Sequence, residues 1–108
     1  MQRTITCADL RILLDRNEPT TLLDVRRADD RAKEPLAIPA AVWHDPAAID
    51  DWSAKLSKED EIVLYCVRGG SVSNSVVDAL HAKGFKARFI EGGLEAWKQA
   101  GGATEPQP

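Results

Sequence analysis

Of the two cysteines in this 108-residue chain, one stands where a thiol can react. Cys66 closes the most apolar run of the sequence, Ile62-Val63-Leu64-Tyr65, and is followed by Val67-Arg68-Gly69-Gly70-Ser71. If the run is a strand and Ser71 opens a helix, backbone N–H groups and the positive end of the helix dipole gather around the sulfur. A thiol held there is acidified, and the thiolate is the nucleophile. Glycines at 69 and 70 let the backbone curl around the sulfur, and Arg68 is expected to add a fixed positive charge beside it. Most single cysteines in small domains are inert core residues. The Arg-Gly-Gly-Ser run and the helix pattern after it favour the reactive reading for Cys66. Cys7 has no such surroundings and is expected to pack or to sit half-exposed on a helix.

Other chemistries find little support. Two cysteines far apart make neither a disulfide framework nor a metal knuckle, and His44 and His81 are too scattered for a metal site. No metal and no organic cofactor is expected. His81 falls on a helix already explained by its apolar stripe, and Trp43, Trp52 and Trp97 fit core faces. Fourteen Lys and Arg against 17 Asp and Glu give a net charge of −3, which argues against nucleic acid or an anionic membrane as partner. No apolar run reaches the length of a membrane span, and Met1 to Thr6 lacks a signal-peptide pattern, so a cytoplasmic protein is expected.

The elements that must position Cys66 alternate along the chain. Thr6 caps a first helix with Asp9 near its positive end and Leu10, Leu13 and Leu14 on one face; Asn17-Glu18-Pro19 ends it. Residues 21–25 read as a buried strand, 26–37 as a polar loop broken by Pro35, and 38–43 as a lead into a short strand. Asp45-Pro46 starts a helix with Ile49, Trp52 and Leu56 on its apolar stripe. The run 62–66 predicts a strand in mid-sheet, covered on both faces. A helix from Ser71 buries Val72, Val76, Val77 and Leu80 and ends at Gly84. Residues 88–90 form a last strand, and Glu91-Gly92-Gly93 turns into a helix carrying Leu94 and Trp97. The chain thus predicts one α/β domain over 1–101, a mostly parallel sheet with helices on both faces, and a disordered tail over 102–108. A monomer is expected.

Four segments, in order, make the sequence resemble the rhodanese-like family of single-domain sulfurtransferases. Leu23-Asp24-Val25-Arg26 resembles its early Asp-Val-Arg strand end, and Ile38-Pro39-Ala40-Ala41 its Ile-Pro-Gly-Ala segment, although Leu36-Ala37 replaces the usual Gly-His. Tyr65-Cys66 through Ser71 occupies the place of the active-site loop, and Glu91-Gly92-Gly93 with Trp97 that of the closing Gly-Gly-x-x-x-Trp signature. The resemblance implies a five-stranded parallel sheet and a six-position loop beginning at the cysteine. It implies Cys66 as the catalytic residue, and Val67, Arg68, Gly69, Gly70 and Ser71 as the loop that binds the donor. It also implies transfer of a sulfane sulfur from a small anionic donor such as thiosulfate to cyanide or a thiol, low-molecular-weight or on a protein, through a Cys66 persulfide. Many members carry arginine at the last loop position; here Ser71 stands there and the charge is at Arg68.

Two rivals remain open. Cysteine phosphatases and arsenate reductases use a longer loop ending in an arginine that grips the oxyanion; here positions five and six past Cys66 are Ser71 and Val72. A docking module that carries sulfur only with a partner, or merely docks, leaves no motif to find.

Overall fold

The structure, a computed structural model, describes residues 3–17 and 19–106. The chain runs β1 (Thr4–Ile5), α1 (Cys7–Asp15), β2 (Thr20–Asp24), α2 (Ala28–Lys33), β3 (Leu36–Ala37) and β4 (Val42–Trp43). After a 3-10 turn at Pro46–Ala48 come α3 (Ile49–Ser53), β5 (Glu61–Tyr65), α4 (Ser71–Ala82), β6 (Lys86–Ile90), α5 (Gly93–Gln99) and β7 (Glu105–Pro106). Five strands form one sheet in the order β1-β6-β5-β2-β4, every neighbouring pair parallel. The apolar run before Cys66 is therefore the central strand, as its lack of polar alternation predicts.

Side chains alternate across the sheet and build two cores. On one face Ile62 and Leu64 of β5 pack with Leu23, Trp52, Val76, Val77, Leu80 and Phe89 under α3 and α4. On the other, Val63 and Tyr65 pack with Leu10, Leu22, Ile90, Leu94 and Trp97 under α1 and α5. Both faces being covered, each apolar residue of β5 is withdrawn from water, which is the main stabilising term for a sheet of this kind.

The structure departs from the sequence reading in two segments and adds a strand that the sequence did not signal. The segment read as loop contains helix α2, which buries no residue. It is held by charge instead: Asp29 and Asp30 lie in its first turn, Arg31 and Lys33 in its last, and the Arg31 guanidinium sits 4.9 Å over the Trp43 ring. The edge strand β1 is too short to give a periodic signal. The tail over 102–106 is ordered: Trp97 Nε1 donates to the Ala103 carbonyl at 2.8 Å, Gly102 N donates to the Trp97 carbonyl, and β7 pairs antiparallel with β3. Backbone pairing needs no core side chain, so composition gave no sign of it. Of the expected tail, Gln107 and Pro108 lie outside the described residues, as do Met1, Gln2 and, at the end of the first helix, Glu18. Among the described residues, no helix is long and apolar enough to cross a membrane.

A buried ion pair fixes the loops at the carboxyl end of the sheet. Arg26 and Asp24 are each 1% exposed and meet at 2.8 Å. The guanidinium also donates to the carbonyls of Glu34 and Leu36, at 2.8 and 2.9 Å. Every charge is met by hydrogen bonds, the condition under which a buried pair is tolerated. The Tyr65 hydroxyl accepts from Ile38 N at 3.2 Å. Burial first, then the Asp24 carboxylate, pushes its pKa far up and keeps it protonated.

Candidate functional site

Because the sheet is parallel, the connections that leave β2, β4, β5 and β6 at their carboxyl ends lie on one side, where open α/β sheets place ligands. Cys66 is the first residue beyond β5, 5% exposed. It borders a cavity of about 350 Å³ walled by the loop, by Ser71 and Val72 at the start of α4, and by Arg27 and Asp30 of the connection after β2.

The loop is clamped from behind. The carbonyl of Cys66 accepts from Leu94 N at 2.9 Å and that of Val67 from Glu95 N at 3.1 Å, so the first turn of α5 holds the loop backbone. The approach demands glycine. A Cβ at Gly93 (φ +63°) would lie 2.6 Å from the Cys66 carbonyl oxygen, and one at Gly69 (φ +70°) 3.1 Å from Gly92 N and the Ile90 carbonyl oxygen. Gly70 is different: a Cβ there would meet nothing within 4 Å. Of the two loop glycines, Gly69 alone has a positive φ and a close approach that a Cβ would obstruct.

With its carbonyls tied to α5, the loop keeps its donors free. Among the described residues, no backbone N–H from Val67 to Gly70 donates a hydrogen bond within the protein. Helix α4 begins after Gly70 with no side-chain cap, so the N–H groups of its first turn are unclaimed as well. Unpaired donors at a helix start form a seat for negative charge.

Two side chains depart from expectation. Arg68 does not stand over the sulfur: its Nε donates to Glu95 Oε2 at 2.8 Å, and its side chain is 79% exposed. The bond between Val67 and Glu95 brings that carboxylate beside the loop, and an exposed guanidinium pairs with the nearest one. Ser73 was not foreseen. It is fully buried on α4, and its hydroxyl donates to Cys66 Sγ at 2.9 Å. A serine inside a helix ordinarily returns its hydroxyl to the preceding turn or to water. A lone polar residue within the apolar stripe Val72, Val76, Val77 and Leu80 was the available sign.

The remaining candidates lie elsewhere. His44 stacks on Trp52 at 4.9 Å, burial, then Lys55, lowers its pKa, and it is not among the residues that wall the cavity at Cys66. His81 bonds its ring to the Ala87 carbonyl. Cys7 is half-buried at the start of α1, as its surroundings suggested.

The rhodanese-like domain family matches residues 6–100. YtwF of Bacillus subtilis (strain 168), provisionally named a sulfurtransferase, is 34% identical over 105 residues, which are 97% of this chain and 96% of that protein. The thiosulfate sulfurtransferase GlpE of Coxiella burnetii is 36% identical over 78 residues, covering 71% of this chain and 70% of its own. A rhodanese-like domain protein from Staphylococcus aureus superposes with a TM-score of 0.84 at 29% identity, over 99% of this chain and all of that one. Family match, sulfurtransferase-named relatives and five-stranded parallel fold agree: the chain belongs to the rhodanese-like domain family.

Proposed function

We propose that the protein is a sulfurtransferase that carries a sulfane sulfur on Cys66 as a persulfide. The observation that carries the reading is a buried sulfur that meets a hydroxyl donor, Ser73, beside a loop of unpaired N–H groups.

The cycle has two displacements. Cys66 thiolate attacks the outer sulfur of an anionic donor such as thiosulfate; the new S–S bond forms as the old one breaks, and sulfite leaves with its electron pair. The persulfide anion lies against the N–H groups of Val67, Arg68, Gly69, Gly70 and Ser71, which stabilise its charge without reorganising. A thiophilic acceptor, cyanide or a thiol, then attacks the outer sulfur and Cys66 leaves as thiolate. Splitting the transfer over one nucleophile gives ping-pong kinetics. A phosphatase reading is disfavoured because Ser71 and Val72 stand where the longer loop would end in an oxyanion-gripping arginine, and Arg68 is engaged by Glu95.

Intact-mass measurement after incubation with thiosulfate tests the proposal. The expected result is a gain of one sulfur atom that cyanide removes and that Cys66→Ser abolishes. No sulfur taken from thiosulfate, polysulfide or a small persulfide would sink it. Turnover by the isolated protein separates this reading from a partner-dependent sulfur carrier.

A further inference from the structure

Helix α2 borders the site without a core of its own. It buries no residue, yet Asp30 and the preceding Arg27 wall the cavity at Cys66. A second cavity of about 520 Å³, lined by Asp30, Lys33 and Glu34 from one side and by Leu94 and Lys98 from the other, lies between α2 and α5. With space on two sides and no buried residue, α2 belongs to the low-stability end of the fold. Both ends of its segment converge on buried Arg26, whose guanidinium donates to the Glu34 and Leu36 carbonyls. Beyond that root, two ties run to α5. The Glu34 carboxylate pairs with Lys98, and β3 pairs antiparallel with β7. Pro106 has no N–H, so Ala37 and Glu105 are the pair that exchanges both backbone hydrogen bonds. β7 is fixed to α5 in turn: the Ala103 carbonyl accepts from Trp97 Nε1 at 2.8 Å, and a Cβ at Gly102 would overlap the Trp97 ring.

We propose that α2 is a flap that controls access to the Cys66 thiol, and that residues 102–106 are the strap that keeps it closed. The loop and the strap are held by one helix: α5 clamps the loop through Leu94 N and Glu95 N, and the strap through Trp97. No residue of α2, β3 or β7 belongs to either core, so the flap opens with both cores intact. Opening breaks the Ala37–Glu105 pair, the half-exposed Glu34–Lys98 ion pair and the Arg31 contact with Trp43, while Arg26 stays on Asp24 as the pivot. These ties are weak singly, a half-exposed ion pair and a ribbon of two residues, which suits them to release. The inference concerns access to the thiol and holds whatever group the thiol carries.

Glu105→Pro in the full chain tests this. It removes one N–H donor from the strap at an exposed position, and Glu105→Ala, which keeps the backbone donor, is its control. Alkylation of Cys66 by iodoacetamide, read by peptide mass mapping, is expected to quicken roughly 3- to 10-fold in Glu105→Pro, the equivalent of one net backbone hydrogen bond. Cys7 should be alkylated at its wild-type rate, and the pH midpoint for Cys66 should stay in place, since access changes and acidity does not. Hydrogen exchange over 28–37 should quicken by the same factor while the amides of β5 keep their protection. Lys98→Gln, which removes the ion pair alone, is expected to quicken Cys66 alkylation by about 2- to 3-fold. Unchanged Cys66 alkylation in Glu105→Pro, or a faster rate explained by a shifted pH midpoint, overturns the flap. Should Glu105→Pro lose protection in β5, the wild-type protein decides. Amides of 28–37 and 103–105 that exchange through one shared opening, below the global stability, support the strap; exchange only by global unfolding overturns it.

Discussion

Both cysteines stand at a junction from strand to helix, and only one is equipped for chemistry. Cys7 follows β1, an edge strand, and is itself the first residue of α1. Thr6 caps that helix, its hydroxyl accepting from Asp9 N at 3.1 Å, and Asp9 adds a negative charge to the same turn. Burial first, and the Glu91 carboxylate less, push the Cys7 thiol above the ordinary range against a backbone hydrogen bond that lowers it. Cys66 follows β5, the central strand, and is separated from α4 by a loop whose N–H groups have no acceptor among the described residues. Glycine stands at the cap of α4, with no side-chain oxygen to claim its first turn. A strand–helix junction becomes a place for an anionic sulfur when its donors are left unspent, and a plain structural joint when a cap consumes them.

The sharpest way to break this comparison is to exchange each thiol for a hydroxyl. Cys66→Ser is expected to abolish sulfur transfer in a folded protein, since serine nearly matches the volume but stays protonated at neutral pH. Cys7→Ser is expected to retain most activity. Trapping of a persulfide by Cys7→Ser that the acceptor fails to discharge would make Cys7 a resolving thiol and end the contrast. The next largest effect falls on the clamp. Gly93→Ala places a methyl 2.6 Å from the Cys66 carbonyl in a left-handed backbone, so a loss of about 3 kcal/mol of stability is expected, together with a misplaced loop. Urea unfolding and sulfuration rates measure the two; wild-type values for both would show that the loop does not depend on α5.

The fold was legible because it is written in strong local signals. The run Ile62-Val63-Leu64-Tyr65 contains no polar residue to face water, which put β5 in mid-sheet, and the helix stripes of α1, α4 and α5 have the right period. Segments held by charge or backbone were not legible. Helix α2 buries no residue, and β7 pairs with β3 through the backbone rather than through an apolar side-chain pattern. At the site, Cys66 and its loop stood out by type and order. The direction of Arg68 did not, because Glu95, its partner, is 27 residues away and reaches the loop through the glycine clamp of α5. Ser73 was hidden for the opposite reason: within an apolar stripe a serine reads as a small core residue, and its bond to Cys66 depends on the turn between them.

Ser73 sharpens the comparison, since among the described residues no hydroxyl donates to the Cys7 sulfur. Ser73→Ala removes the side-chain donor to Sγ and little volume. Hydrogen bonds to charged groups are worth about 1.5–3 kcal/mol, so persulfide formation is expected to slow by roughly 10- to 150-fold if the bond is made to the reacting anion. The thermal midpoint should hardly move, because no large group is left unpaired. A rate within twofold of wild type would make the hydroxyl a core-filling group and leave the loop N–H groups as the sole difference between the two junctions.

The smallest effect is expected at Arg68, the residue whose charge the sequence placed beside the sulfur. In the structure that charge is shared with Glu95 and is largely in water, where an ion pair is worth about 0.2–1 kcal/mol. A donor anion entering the cavity would have to compete with the Glu95 carboxylate for the guanidinium. Arg68→Ala is therefore expected to lower kcat/KM for thiosulfate by only about 2- to 5-fold, with kcat nearly unchanged. The companion change Glu95→Gln sets the guanidinium free and removes a negative charge from the same surface; it is expected to raise kcat/KM for thiosulfate by a similar factor. Both effects should fade with added salt, as exposed charges are screened over about 10 Å at 0.1 M. A hundredfold loss in Arg68→Ala that persists at high salt would mean that Arg68 leaves Glu95 when donor binds and closes over the anion. The charge would then belong to the Cys66 junction after all, as a second asset that Cys7 lacks.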